Sequence, residues 1–154
     1  MADYAGAVAA IKARLAANWT TTPIRYQNDR DPPEWPPTDP NSGLVTPWLF
    51  LEVISNQSSI RAAGVPGDNI WLTEGHILIH VVTPIGDGAE LAQQYAVAAG
   101  EIFRAATFYN DGQGSKVLSG VNPAPRTDGG GTDADKGNWF RVTMTCGFEF
   151  FHRG

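Results

Sequence analysis

FRVTMTCGFEF, residues 140–150, alternates apolar side chains with polar or small ones over its whole length. A strict period of two is typical of a β-strand that buries one face and leaves the other open. One-sided strands belong to antiparallel sheets, because strands of parallel sheets are covered on both faces. The sequence therefore predicts an antiparallel sheet that contains this strand.

Apolar runs bounded by turn residues predict the other strands. Residues 48–54 are apolar apart from Glu52, and a longer run covers residues 69–83. A change of face near Glu74 and Gly75 predicts a β-bulge within the longer run. Shorter strands are predicted at 24–26, 59–63 and 116–121.

Two helices accompany these strands. Apolar side chains at positions 4, 8, 11, 15 and 19 form one stripe at helical spacing, which predicts a helix over residues 3–18. Asp87 and Glu90 fit a capping box before a second helix over residues 88–107. The fold class is therefore α+β, with four to six antiparallel strands and two helices packed on one face, in a single domain spanning residues 1–154.

Two long segments, about 27–46 and 122–137, are rich in proline, glycine and aspartate. They bury too little apolar surface to offset the entropy of ordering, so both are predicted to be mobile. Trp35 stands among prolines in the first of them, and Trp139 and Phe151 lie outside the core stripe of the last strand. Because unexplained surface aromatics mark contact sites, we predict that Trp35, Trp139 and Phe151 form an interface.

Charge and cysteine content narrow the possible functions. The chain has 16 acidic and 11 basic residues, and the basic ones are scattered singly. This argues against nucleic-acid binding, which needs clustered positive charge. Cys146 is the only cysteine, so no disulfide forms within the chain and a reducing cytosol suits it. We expect no signal peptide, no membrane-spanning segment and no membrane partner.

The sequence predicts no catalytic centre, no cofactor and no metal site. His76 and His80 would lie roughly 13 Å apart on a strand, too far to share a metal ion. The segment 128–135 resembles a calcium loop but lacks the bidentate glutamate that such loops need. Cys146 belongs to the apolar set of its strand, and no nucleophile or phosphate-loop motif occurs. The chain is therefore predicted not to be an enzyme.

A known family shares this order of elements. An amphipathic helix leads to PIRYQN at 23–28, followed by PWLFLEV at 47–53 and GHILIHV at 75–81. A helix carrying AELA then precedes the C-terminal strand. The arrangement resembles, over nearly the whole chain, the tail terminator and tail completion proteins of long-tailed bacteriophages. The proline-rich loop at 29–40 is not part of the resemblance.

The resemblance implies a structural virion protein that forms a homo-oligomeric ring, a hexamer. Such a ring docks on the last ring of the tail tube protein, stops tube polymerisation and offers its other face to a head-completion or neck protein. DNA would cross its lumen without specific binding. The ring would sit at the tail–neck junction of the virion, assembled in the bacterial host cytoplasm. Two alternatives stay open: another neck or head–tail adaptor subunit, and a small-ligand binding domain with convergent polar groups.

Overall fold

The structure, a computed structural model, describes residues 3–132 and 139–154. It contains the helices α1 (Tyr4–Asn18) and α2 (Glu90–Phe103). The strands are β1 (Ile24–Tyr26), β2 (Trp48–Ala62), β3 (Ile70–Pro84), β4 (Ala106–Phe108), β5 (Lys116–Ser119), β6 (Arg126–Thr127), β7 (Gly131–Thr132) and β8 (Trp139–Arg153). Neither helix in these ranges has the length and apolarity needed to cross a membrane.

Helix α1 lies where the sequence predicts it. Asp3 caps its first turn by accepting a 2.6 Å hydrogen bond from the Gly6 amide, a standard N-cap contact. Helix α2 is shorter than predicted, and the predicted capping box at Asp87 is wrong. The cap residue is Ala89, with no side-chain hydrogen bond, and the helix ends at Phe103 because Arg104 is extended.

The sheet is mixed, with strand order β1-β2-β3-β8-β5-β4, and the short strands β6 and β7 also pair with β8. Two helices with such a sheet place the chain in the α+β class. The prediction of a purely antiparallel sheet is wrong at β1, which runs parallel to β2. Parallel neighbours need a long connection, and residues 27–47 supply one.

Strand β2 is a single strand where the sequence predicts two, at 48–54 and 59–63. Ser55 pairs with Gly75 and Gln57 pairs with Glu74, so Asn56 is an extra residue in β2. The bulge therefore lies opposite Glu74 and Gly75, where the sequence predicts one, but the extra residue is in β2 and not in β3. An extra residue of this kind locally increases the bend and twist of the strand that carries it.

The apolar set of β8 supplies much of the core, as its period predicts. Val142, Met144 and Cys146 are fully buried opposite Val81, Ile79 and Ile77 of β3. Burial raises the pKa of the Cys146 thiol to about 12, so this thiol stays protonated at neutral pH. The same core includes Ala7, Ile11, Leu15, Ala92, Ala96, Ala99 and Phe103 of the helices and Leu49 and Leu51 of β2.

Candidate functional site

Three tryptophans meet where β2 and β8 begin. The Trp48 ring lies 5.0 Å from that of Trp35 and 6.1 Å from that of Trp139, in edge-to-face contacts. Such aromatic pairs stabilise a fold by about 0.5–1.5 kcal/mol beyond their area burial. Trp35, Trp48 and Trp139 are called the tryptophan cluster below. Two of the three predicted interface residues, Trp35 and Trp139, therefore come together around Trp48.

The cluster lies on the sheet face that the core does not use. Trp48 pairs with Val82, and Trp139 pairs with Pro84, two residues further along β3. Residues two apart on a strand point to the same face, so both indoles share one side of the sheet. Leu49 and its partner Val81 point to the other side, into the core.

The cluster lines a groove of about 350 Å³. Its other lining residues are Arg25, Asp31, Pro36, Phe50, His80, Val82 and Arg141. Arg25 forms an ion pair with Asp31, and its guanidinium lies 5.8 Å from the centre of the Trp35 ring. Trp48 Nε1 and Arg25 Nε are buried without a hydrogen-bond partner among the described residues. Both atoms carry hydrogens, so the groove suits a partner that offers acceptor oxygens.

A hydrogen-bonded network borders the groove across three strands. His80 Nε2 lies 2.6 Å from Glu52 Oε2, and His80 Nδ1 lies 2.8 Å from Thr143 Oγ1. The imidazole also stacks on Phe50, with 5.8 Å between ring centres. The network therefore ties β2, β3 and β8 together on the face that carries the groove.

The order hydroxyl, imidazole, carboxylate is also that of a hydrolase triad. Thr143, however, lies in the middle of β8, where its amide donates to Asp128 Oδ1 at 3.0 Å. An acyl group at Thr143 would not find that amide free to stabilise an oxyanion. We therefore interpret the network as a structural tie between strands.

Sequence reasoning missed Trp48, Glu52 and the link between Glu52 and His80. The available signal was Glu52 itself, the one charged residue in the run 48–54. It shares the parity of Trp48 and Phe50, so the three must share a sheet face. A partly buried charge among aromatic side chains is stabilised by a partner, which the neighbouring strand can supply.

His76 and His80 have different partners, as their spacing on a strand suggests. His76 Nδ1 lies 2.7 Å from Asn56 Nδ2, at the bulge of β2. In the part of the chain that the structure describes, no group of three or more His, Cys, Asp or Glu side chains could hold a metal ion.

Phe151, the third predicted interface residue, lies far from the tryptophan cluster. It is twelve residues after Trp139 on β8, a distance of about 40 Å along an extended strand. It pairs with Leu72 and Lys116, and the Lys116 ammonium lies 5.5 Å from the centre of its ring. Burial lowers the pKa of its neighbour His152. The predicted interface thus divides into two separate places, and all three aromatics are partly buried in the subunit.

The fold of this chain is shared with proteins of known structure. No family model matches the sequence, and no curated protein matches it. Eight chains of solved structures are similar to it. One of them has 21% sequence identity and a TM-score of 0.61, and the match covers 94% of this chain and 92% of the other. At that identity the likeness establishes a shared fold over nearly the whole chain.

Proposed function

We propose that this chain is the subunit of a tail terminator, a homo-hexameric ring that caps a bacteriophage tail tube. The observation that supports the proposal is that α1, β1, β2, β3, α2 and β8 follow one another in the order on which the resemblance to that family rests, with the short strands β4 to β7 between α2 and β8. The ring stops tube polymerisation and forms the junction with the head or neck. It belongs to the virion and is assembled in the cytoplasm of the host bacterium.

The two helices cover one face of the sheet and leave the other face available for contact with a partner. We infer that α1 and α2 both cover the core face of the sheet, because their buried residues belong to the same core as Leu49, Val81 and Val142. The opposite face then carries the tryptophan cluster and its groove without a helix above it. An apolar groove with a polar rim on an uncovered face is typical of a protein contact site.

We assign the tube contact to the tryptophan cluster, chiefly Trp35. An aromatic side chain at the centre of an interface commonly contributes about 2 kcal/mol or more to binding. A tube subunit that offers carbonyl or carboxylate oxygens would also supply acceptors for the hydrogens of Trp48 and Arg25. The remainder of the ring meets the head-completion or neck protein, and DNA crosses the lumen.

The groove also favours one other function, that of a small-ligand binding domain. A volume of about 350 Å³ falls within the range of small-molecule sites, and polar donors converge on it. A ligand-binding domain would act without tail tubes, whereas a terminator acts only on them.

The test is complementation: the gene is deleted from the phage, and each variant is supplied from a plasmid in the bacterial host. Trp35→Ala should fold, as judged by circular dichroism, but yield at least about tenfold fewer tails joined to heads, since a loss of 2 kcal/mol weakens binding by about thirtyfold. Phe151→Ala is the matched comparison, because this aromatic is also partly buried but lies at the other end of β8. We expect it to assemble at the wild-type yield.

Two outcomes would contradict the assignment at different levels. If folded Trp35→Ala joins tails to heads as well as the wild type, Trp35 is not the tube anchor. If the phage with the gene deleted still makes tails of fixed length, the terminator function itself is wrong, and a neck or head–tail adaptor takes its place.

A further inference from the structure

Strand β2 has an edge that is covered only near its start. On one side it pairs with β3 along its whole length. On the other side β1 pairs only with residues 49–51. From Val53 to Ala62, no strand in the described part of the chain lies against this outer edge. Residues 54–62 are exposed, including Ile54 at 43% and Ile60 at 50%.

The backbone groups along this outer edge can be identified. The Val53 amide donates to Gln27 Oε1 at 3.1 Å, on the side away from β3. The β3 partners of Val53, Ser55, Ser58 and Ile60 are Ile77, Gly75, Thr73 and Trp71, which lie at every second position. Because hydrogen bonding alternates along an antiparallel pair, the amides of Ser55, Ser58 and Ile60 also point outward.

The sequence of this edge carries few of the features that protect an open edge from pairing. Soluble proteins protect open edges with lysines, prolines, β-bulges or very short strands. Strand β2 has irregular register at Asn56 and between Ile60 and Ala62, but it lacks the other features. The segment VISNQSSIRA, residues 53–62, is ten residues long and contains one charged residue, Arg61, and no proline. An edge of this kind is a template for another strand.

A second open edge exists at the far end of the same sheet. Among the described strands, β4 is the last in the order and pairs only with β5. Its central residue, Thr107, is exposed. Contact between two different edges of identical subunits is head-to-tail, and head-to-tail contacts form a ring when the rotation between subunits closes and a filament when it does not.

We propose that the outer edge of β2, residues 55–62, pairs with β4 of a second copy of this chain, so that the sheet continues from one subunit to the next. The closure of this contact into a ring rests on the proposed function, but the pairing itself does not. The partner strand is short, so the added ladder covers only part of the edge of β2. The surface is also distinct from the tryptophan cluster, which is assigned to the tube.

Ser58→Pro tests the pairing with little effect on the subunit. Proline removes an outward amide, and edge strands tolerate it at such positions. Ser58→Ala is the matched control, because it removes the same hydroxyl, which accepts a 3.0 Å hydrogen bond from Thr73, but keeps the amide. Self-association is measured by sedimentation velocity and native mass spectrometry up to the highest soluble concentration.

We expect the wild type and Ser58→Ala to associate with similar affinity and Ser58→Pro to associate at least tenfold more weakly. A wild type that stays monomeric at every concentration, or a Ser58→Pro variant that associates normally, would overturn the inference. Circular dichroism and urea unfolding establish that both variants are folded. The variants could show association through this edge while deletion of the gene leaves tail length unchanged. That result would support the pairing inferred here and contradict the proposed function.

A cross-linking experiment identifies the partner strand. Ile60→Cys and Thr107→Cys are purified separately, mixed, and treated with a short bismaleimide. We expect cross-linked dimers in the mixture and a much lower yield from either variant alone. If the mixture gives no more dimer than the separate variants, β4 is not the partner strand.

Discussion

Gly75 shows how one residue governs the packing of three strands. A Cβ atom at this position would lie 2.1 Å from the Ile54 carbonyl oxygen and 2.6 Å from Cε1 of Phe148. The Phe148 ring, partner of Gly75 across β3 and β8, thus occupies the space of the missing side chain. Glycine here allows a large aromatic to complete the core beside the bulge of β2.

We predict that Gly75→Ala destabilises the fold by at least about 3 kcal/mol, because one of the close contacts is with backbone and cannot relax by rotamer change. Urea unfolding at neutral pH measures the change. Gly129→Ala is the control, since no described atom lies within 4 Å of its added Cβ. Equal unfolding midpoints for the two variants would contradict the steric clash that the structure indicates for a side chain at Gly75.

Among the helices and strands, the sequence predicts those whose hydrophobic pattern extends over many residues. It does not predict features that depend on which strands pair with each other. Helix α1 and strand β8 agree closely with their patterns. The direction of β1 could not be predicted, because three residues carry no information about the strand beside them. Trp48 was missed for a related reason. Apart from Glu52, the run 48–54 is apolar on both faces, so its alternation alone does not show which face the helices leave open.

The two long segments are expected to differ internally in mobility. In 27–46, the Asp39 amide donates to the Leu44 carbonyl and the Thr46 amide to the Pro37 carbonyl, both at 2.8 Å. We therefore expect these two amides to exchange more slowly than the amides of Arg30, Asp31 and Glu34, which are exposed and donate no such bonds among the described residues. Amide exchange by NMR on the isolated subunit measures this.

Protection of the amides of Arg30, Asp31 and Glu34 equal to that of the sheet would contradict the predicted mobility. In 122–137, Asp128 provides an anchor, because its carboxylate accepts from the amides of Gly130 and Thr143 at 3.0 Å. We expect slow exchange at Thr143 relative to Gly129. Residues 133–137 of this segment lie outside the described residues.

For the whole molecule, the surfaces assigned here are separate. The tryptophan cluster lies where β2 and β8 begin, and the open edge lies along the second half of β2. A subunit that must bind both a neighbour and a tube needs two such surfaces, since one surface cannot serve both at once. The net charge of −5 adds a third property, weak attraction for nucleic acid.

We predict that the protein does not retard duplex DNA in a gel at about 0.15 M salt, because no clustered cations displace counterions. The same assay at about 0.02 M salt serves as the comparison, as screening is weaker there. Binding that falls steeply between the two salt concentrations would reveal a basic surface and would contradict free passage of DNA through a ring.

The burial of Cys146 has a practical consequence for counting subunits. Thiols react as thiolates, and a thiol with a pKa of about 12 inside the core is almost entirely protonated at pH 7. The natural chain therefore needs no cysteine removed before a reactive cysteine is introduced for labelling. One cysteine added at an exposed site would carry one fluorophore per subunit. The number of photobleaching steps from a single labelled assembly would then report its stoichiometry directly.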